Sequence, residues 1–302
     1  MWDNTRETYV TTTAVQQYHS RMQRVLDYID GHLDDDLDVA VLSGVAAFSK
    51  HHFHRQFSEL FGISVYRYVQ LARLKRASYR LAFCHDNSVF DIALDSGYAA
   101  PEAFARSFKK RIGQSPSAFR KLPLWFSWHE AYGPFHAARS RQTMTFSDDQ
   151  VTLTDFPTTP VAVLEHRGDP ALIGDSIRRF IAWRKQAGLP PKLSATFNIL
   201  YNDPETTAPE DYRLDICAAT AKPLAVNDAG ITSGVIPGGR CAVLRLTGSS
   251  DNLRPAISWL YRDWLPRNSH DTRDAPLFVQ RVVFFPEAPE NAAVTDIFLP
   301  LQ

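Results

Sequence analysis

The chain is poor in cysteine, with three in 302 residues, and Cys84, Cys217 and Cys241 are far apart. This spacing matches neither a metal-binding motif nor a disulfide framework, and it suits a reducing compartment. No stretch approaches ~18 uncharged apolar residues, so we expect no membrane span and no membrane partner. The first residues also lack the apolar core of a signal peptide, and we therefore expect a cytoplasmic protein.

The sequence also lacks the motifs by which enzymes are commonly identified. It has no nucleophile elbow, no metal triad and no glycine-rich phosphate loop. His166 and His270 are isolated in the sequence, which is more typical of surface or packed histidines than of a catalytic base. We therefore predict no catalytic residue, no metal site and no cofactor.

The net charge is zero, but the basic residues are concentrated in one segment. Residues 49–121 contain 13 Lys or Arg and 5 Asp or Glu, whereas residues 27–38 contain six aspartates and no Lys or Arg. A basic segment within a neutral protein is typical of a phosphate-backbone partner. A solvated helical surface would give the same balance, so charge alone leaves both interpretations open.

Two helix-turn-helix patterns occur in tandem within and beside this basic segment, over residues 37–61 and 89–113. Each predicts a short amphipathic helix, a tight turn and a second helix with one apolar and one polar side. The residues expected to face the core are Phe53, Phe57 and Leu60 in the first motif and Phe104, Phe108 and Ile112 in the second. Two such motifs indicate a protein that reads two neighbouring major grooves of DNA.

Further helix signals surround the two motifs. Apolar spacing predicts a first helix over residues 15–32 that stops near Gly31, and a long helix over residues 65–83 that joins the motifs. Ser49 is placed to cap the second helix of the first motif with its hydroxyl. Pro101 can open the corresponding helix of the second motif, at the first helical position.

Residues 15–121 resemble the DNA-binding domain of the AraC/XylS family. The most specific strings are IALDSGY at residues 92–98 and FARSFKK at residues 104–110. The resemblance implies an all-α domain whose two helix-turn-helix motifs, joined by a long helix, enter adjacent major grooves of double-stranded DNA. The residues expected at bases or phosphates are Lys50, His51, His54 and Arg55 in the first motif and Glu102, Arg106 and Lys109 in the second.

Two positions depart from the family pattern. Ala47 stands where the family has the turn glycine of the first motif, and an alanine at positive φ costs ~1 kcal/mol. Ala100 stands where a capping serine is usual in the second motif, so one backbone amide loses its side-chain partner. Separately, His51, His52 and His54 invite a zinc interpretation. No carboxylate or cysteine at ligand spacing completes such a site, and we favour groove-facing side chains.

Residues 122–150 differ in character from the segments on either side. Aromatic residues from Trp125 to Phe135 occur without an evident helical period, and the following stretch is polar. We interpret residues 122–150 as a linker anchored by its aromatic residues.

The remaining residues, 151–302, contain an internal repeat. The strands PVAVLEHRG at residues 160–168 and RCAVLRLTG at residues 240–248 match at an offset of 80 residues. Each is followed by a loop, an amphipathic helix and further strand-like runs. This pattern predicts an α/β domain made of two pseudo-symmetric strand-helix-strand halves, with a seam between them where a pocket is common.

This C-terminal region resembles the GyrI-like domain, on the strings YNDPE at residues 201–205, RLDIC at residues 213–217 and DIFLPL at residues 296–301. The resemblance implies a cleft between the halves, lined by aromatic residues, with a buried carboxylate that favours cationic amphipathic ligands. The residues expected in this cleft are Phe197, Tyr201, Tyr212, Trp259, Asp296 and Phe298. Asp296 stands where the family usually has a glutamate, and Val279 stands where a glutamate is common. These differences weaken the expectation of a cationic ligand and leave a neutral or mixed ligand open.

Together these observations predict a cytoplasmic transcription regulator whose C-terminal domain senses a small amphipathic molecule and whose partners are double-stranded DNA and RNA polymerase. Two alternatives stay open for the C-terminal domain. In the first alternative, this domain is a hydrolase that uses cleft aromatics and an acid. In the second, it is a protein-interaction surface that binds no ligand.

Overall fold

The computed structural model describes residues 4–84, 86–141, 145–222, 224 and 227–302, with side chains from residue 15 onward. These residues fall into two compact units. Unit 1 contains the chain up to Arg120 together with residues 130–141 and Pro289–Asn291, and unit 2 contains the rest, including Lys121–His129. No helix among the described residues is long and apolar enough to cross a membrane.

The first half of the chain is helical. Its helices are α1 Asn4–Gly31, α2 Val39–Ala46, α3 Lys50–Phe61, α4 Val65–Phe83, α5 Val89–Asp95, α6 Pro101–Ile112, α7 Pro116–Lys121 and α8 Trp125–Ser140. The pairs α2–α3 and α5–α6 are the two predicted helix-turn-helix motifs, and α4 joins them with the predicted bounds. The stop of α1 at Gly31 is also confirmed, although this helix begins earlier than its apolar spacing indicates.

Rows of phenylalanine hold the second helix of each motif to the core of unit 1. Phe53 and Phe57 are fully buried on α3, as are Phe104 and Phe108 on α6. The prediction for Leu60 is wrong, because Phe61 is the buried residue of the last turn and Leu60 is only half-buried. Phe61 lies four residues after Phe57, so the two rings meet, with centroids 4.6 Å apart.

Two of the three features predicted at helix ends agree with the structure. Ala47 adopts the left-handed conformation with φ 55° and ψ 44°, as expected for the residue that replaces a turn glycine. Ala100 is the N-cap of α6 without a side-chain capping bond, and Pro101 occupies the first turn. Ser49 is indeed the N-cap of α3, but its side chain makes no capping hydrogen bond among the described residues, contrary to the prediction.

Replacing Ala47 with glycine should therefore raise the free energy of unfolding by up to ~1 kcal/mol, because glycine adopts positive φ without a Cβ penalty. Urea unfolding followed by far-UV circular dichroism measures the change. The matched control is Ala46→Gly, one residue earlier and inside α2, where glycine should destabilise by about 1 kcal/mol. Equal destabilisation by both variants would contradict the strain at Ala47.

The predicted linker contains a helix, α8, over Trp125–Ser140. The aromatic residues do follow a helical period, because the buried side chains recur every three or four residues at Trp125, Trp128, Tyr132, Phe135 and Arg139. Gly133 and Pro134 lie within the helix and conceal this period in the sequence, since both residues commonly end helices. Residues 142–144 of the predicted linker lie outside the described residues.

Unit 2 contains an eight-stranded antiparallel sheet among its described residues, with strand order β1-β6-β8-β7-β3-β4-β2-β5. The strands are β1 Val151–Phe156, β2 Thr159–Arg167, β3 Thr196–Leu200, β4 Arg213–Ala219, β5 Thr232–Ile236, β6 Gly239–Thr247, β7 Leu277–Val283 and β8 Val294–Pro300. The helices are α9 Ile173–Gln186, α10 Leu253–Trp259 with a π-helical turn at Leu260–Trp264, and α11 Leu265–Arg267. The predicted pseudo-symmetric halves are thus β2-α9-β3-β4 and β6-α10-β7-β8.

Two strands that the sequence analysis did not predict, β1 and β5, cross between the halves. Strand β1 precedes the first half but pairs with β6 of the second half, and β5 precedes the second half but pairs with β2 of the first half. Each of these two strands thus forms an edge of the single eight-stranded sheet, beside the half that it does not directly precede.

The sheet has two different faces. On one face, here the helix face, strand residues pack with α9 around Phe180 and with α10 around Leu260. The other face, here the phenylalanine face, carries a cluster built around Phe156, Phe197, Phe278 and Phe298. Because side chains alternate along a strand, every second residue of β3, β4, β7 and β8 belongs to the phenylalanine face.

Candidate functional sites

All seven side chains predicted to contact DNA are exposed. They are Lys50, His51, His54 and Arg55 on α3 and Glu102, Arg106 and Lys109 on α6. The phenylalanine row of each helix faces the core, so these residues project from the opposite side. Gly62 and Gly113 end the two helices at equivalent points with φ of 73° and 79°. The fold thus presents two similar polar helix faces, and contact of their side chains with DNA stays a prediction.

On the joining helix α4, Arg67 is exposed, but the other basic residues are bound to partners and add little to this surface. Arg76 is buried and pairs with Asp34, and Arg80 pairs with Asp95. Arg73 Nε donates to the carbonyl oxygen of Leu33 at 2.9 Å. The charge balance of residues 49–121 therefore overstates the positive surface. The aspartate-rich stretch before α2 neutralises part of this charge and ties the start of the first motif to α4.

A buried cluster of four charged side chains lies within unit 1. Arg139 of α8 donates to both carboxylate oxygens of Asp30 on α1, and Lys75 Nζ lies 2.8 Å from Glu290 Oε1. Arg139 Nη1 also lies 3.8 Å from Glu290 Oε2. The ring of Phe135 packs 5.4 Å from Lys75 Nζ and 5.3 Å from Arg139 Cζ. Burial raises the pKa of Asp30 to about 6, although Arg139 opposes this shift.

In unit 2, the phenylalanine face brings together two of the predicted cleft aromatics, Phe197 and Phe298, with two that sequence reasoning missed. Phe278 stacks on Phe298 with ring centroids 4.8 Å apart and an interplanar angle of 5°. Phe156 meets Phe278 edge-on at 4.8 Å. Such ring contacts add to the free energy of area burial, so the four rings make a continuous aromatic floor.

Two buried aspartates lie on the phenylalanine face at equivalent positions of the two halves, and each is hydrogen-bonded to an arginine. Arg245 Nε and Nη2 donate to the two carboxylate oxygens of Asp296, both at 2.7 Å. Arg213 Nε and Nη2 donate to those of Asp215 at 3.2 and 3.0 Å. These hydrogen bonds raise the pKa of both arginines. The predicted cleft carboxylate, Asp296, is thus half of a bidentate ion pair.

Tyr201 joins the pair on β4. Its hydroxyl donates to Asp215 Oδ2 at 2.9 Å, and the Arg213 guanidinium lies 4.0 Å from the centroid of its ring. Burial, together with the hydrogen bond to Asp215, raises the pKa of Tyr201 to about 12. The phenol therefore stays protonated at neutral pH, which makes it a hydrogen-bonding group rather than a general base.

The remaining predicted cleft residues, Tyr212 and Trp259, lie elsewhere. Tyr212 packs in the core beneath α9 on the helix face, because it directly precedes Arg213 and the side-chain direction alternates. Trp259 belongs to α10, also on the helix face, with Phe146 at a centroid distance of 5.4 Å and the Arg267 guanidinium at 5.8 Å. The structure thus does not bring these two predicted residues together with the other four.

The space beside the phenylalanine face is small. A cavity of about 20 Å³, near the volume that holds one water molecule, is lined by Arg273 and by apolar residues that include Phe278 and Pro300. The four rings of the aromatic floor are at most 9% exposed, so a ligand that reaches them has to displace side chains.

Sequence reasoning missed Arg245, Phe156 and Phe278 as site residues. The internal repeat aligns Arg245 with Glu165 on β2, at an offset of 80 residues. It thereby indicates that both equivalent strands carry a charged residue at this position. Phe278 of β7 is paired with Phe298 of β8, and this cross-strand register is not contained in the local sequence pattern. Within the described part of the chain, no group of three or more His, Cys, Asp or Glu is arranged to hold a metal ion.

Comparison with known proteins finds matches to both regions of the chain. A family model described as the GyrI-like small molecule binding domain matches residues 149–302, and one described as a helix-turn-helix domain matches residues 42–122. The probable transcriptional regulator YgiV of Escherichia coli (strain K12) is 39% identical over 152 residues, which cover 50% of this chain and 95% of that protein.

Two further similarities concern one region each. The uncharacterized HTH-type transcriptional regulator YbfP of Bacillus subtilis (strain 168) is 37% identical over 110 residues, 36% of this chain and 37% of that protein. A solved structure, the EcmrR C-terminal domain, is similar at 16% identity with a TM-score of 0.41 and covers 50% of this chain and 96% of its own.

Proposed function

The chain belongs to the GyrI-like small molecule binding domain family, and from this we propose a DNA-binding transcriptional regulator that senses a small amphipathic molecule. The helix-turn-helix motifs of unit 1 bind specific DNA through α3 and α6. The sheet of unit 2 binds the effector on its phenylalanine face. Because a ligand shifts an equilibrium only between states that it binds unequally, the effector acts by favouring one DNA-bound arrangement or one set of RNA polymerase contacts.

The observation that carries this proposal is the exposure of all seven predicted DNA-contact residues on two similar helices of one unit. Helices held to a core by phenylalanine need no charged outer face for stability. Arg55 and Arg106 occupy matching exposed positions of the two helices, and an arginine suits both base edges and phosphates. One chain then holds two reading helices, so a single molecule suffices for a full site.

The two alternatives for unit 2 lose support for different reasons. The relatives YgiV and YbfP are named as transcriptional regulators, and the protonated phenol of Tyr201 offers no general base for a hydrolase. An interaction surface without a ligand would leave the bidentate pairs beside the aromatic floor with a purely structural role. A ligand screen without a hit would favour this interaction-surface interpretation.

DNA binding is tested with the full chain and a duplex selected by it from a random pool. We expect the selected duplex to bind at least ~10³-fold more tightly than a scrambled one. We also expect the affinity to fall steeply between ~50 and ~200 mM salt, because phosphate contacts release counterions. Equal affinity for selected and scrambled duplexes would remove sequence-specific recognition from the proposal.

A further inference from the structure

The arginine–aspartate pairs on the phenylalanine face determine which charge a ligand meets there. In the pair on β6 and β8, the side chain of Arg245 is 63% exposed and that of Asp296 is 11% exposed. In the pair on β4, the corresponding values are 30% for Arg213 and 4% for Asp215. In both pairs the guanidinium, and not the carboxylate, is the group open to solvent.

We propose that the phenylalanine face recognises an amphipathic anion, with an aromatic body and a carboxylate head, and that Arg245 binds the head. This inference rests on the proposed sensing function and narrows the class of its ligand. It reverses the expectation of a cationic ligand that the buried carboxylate alone would suggest.

The geometry of Arg245 leaves it able to bind a second carboxylate. Its bonds to Asp296 use Nε and Nη2, which form one edge of the guanidinium. The planar fork carries five N–H donors, so the edge between Nη1 and Nη2 faces away from Asp296. Asp296 fixes the plane of the guanidinium, and a positioned guanidinium loses less freedom when it binds an anion.

An aromatic body would lie next to this head group. Phe298 follows Asp296 by two residues on the same strand, which is about 7 Å along a β-strand. Its ring is part of the aromatic floor, and the small cavity beyond it lies against Pro300. The charged residue of that cavity is Arg273, again a cation. A flat aromatic acid therefore matches the sign of charge, and its ring has to displace side chains of the closely packed aromatic floor to lie against Phe298.

A cationic head group fits this face poorly. Asp296 is only 11% exposed, and a cation that reaches it would compete with the Arg245 guanidinium for the carboxylate and lie beside this like charge. The other carboxylates of the described face are occupied as well, because Glu165 and Asp215 both pair with Arg213. At these three positions of the face, each carboxylate therefore already has an arginine partner.

The test compares three ligands with one body, 2-naphthoate, 2-naphthylmethanol and 2-naphthylmethylammonium, by titration calorimetry on the full chain. We expect the carboxylate to bind at least about tenfold more tightly than the ammonium, as a charge-assisted hydrogen bond provides. Arg245→Gln should abolish this preference. Asp296→Asn keeps one acceptor oxygen to position Arg245 but removes a like charge, and it should therefore strengthen carboxylate binding. Arg262→Gln changes an exposed arginine on the helix side of the unit and should leave all three affinities unchanged.

The outcomes separate this inference from the function on which it rests. Tighter binding of the ammonium, or equal affinities for all three ligands, would overturn the anionic preference while the sensing function stands. A carboxylate preference that survives Arg245→Gln would remove Arg245 as the head-group site. If none of the three binds to a chain that still binds DNA, the phenylalanine face is not a site for an aromatic anion and this inference is wrong, whereas the sensing function is decided by a screen of other amphipathic molecules.

Discussion

Replacing Arg139 with methionine should lower the free energy of unfolding of unit 1 by about 3–5 kcal/mol, because it leaves a buried carboxylate without its cation. The side chains of Arg139 and Asp30 are 3% and 2% exposed, so water has little access to replace the guanidinium. Arg139 also donates to the hydroxyl of Tyr68 at 3.1 Å. The methionine fills much of the same volume, so the loss measures charge and hydrogen bonding rather than a cavity.

Urea unfolding followed by far-UV circular dichroism measures this loss, because unit 1 is helical. Tryptophan fluorescence serves as an internal control, since the tryptophans at described positions all lie in unit 2. The matched variant is Asp30→Leu with Arg139→Met, which removes both charges and should recover most of the stability. A cost below about 1 kcal/mol for Arg139→Met would place the pair among hydrated surface ion pairs and contradict its burial.

The sequence does not predict this cluster, because its members have no local relationship. Asp30, Lys75, Arg139 and Glu290 are brought together only by the packing of three helices and of a short segment between β7 and β8. The length of α4 follows from its apolar period, but the burial of Lys75 on it does not. Pattern analysis assigns lysine and arginine on an amphipathic helix to the solvent side, whereas tertiary contacts can bury them with a partner.

The strands that escaped prediction have a physical explanation as well. Strands β1 and β5 are the two edges of the sheet, and most of their residues are exposed or half-buried. An edge strand that packs little has weak apolar alternation, so the pattern that identifies β2 and β6 is absent there. The half with which each of these strands pairs depends on the topology of the whole sheet, and no local sequence pattern indicates it.

The candidate effector site was predictable in its residue types but not in its pairing. The resemblance and the repeat identified Phe197, Phe298 and Asp296, and alternation along β4 is enough to separate Tyr212 from them. The role of Arg245 depends on the cross-strand register that sets it opposite Asp296, 51 residues away in the chain. Register in an antiparallel sheet depends on the whole set of strand pairs, so the charge presented to a ligand required the structure.

The double variant Arg55→Ala/Arg106→Ala should weaken specific DNA binding by roughly 30-fold to 20,000-fold. Each arginine that contacts a base or phosphate contributes about 1–3 kcal/mol, and about 1.4 kcal/mol corresponds to a factor of ten. The two residues lie on different recognition helices, so their contributions should add. Both side chains are exposed, and the fold of unit 1 should therefore be unaffected.

Fluorescence anisotropy with the selected duplex gives the affinities of the two single variants and of the double variant. The control is Arg24→Ala, which removes an equal charge from an exposed position on α1, away from both recognition helices, and should change the affinity little. If Arg55→Ala alone weakens binding while Arg106→Ala has no effect, one helix reads the DNA and the second motif has another role. If the double variant loses no more than Arg24→Ala, the DNA-binding face lies elsewhere on unit 1, because only long-range charge would then have been removed.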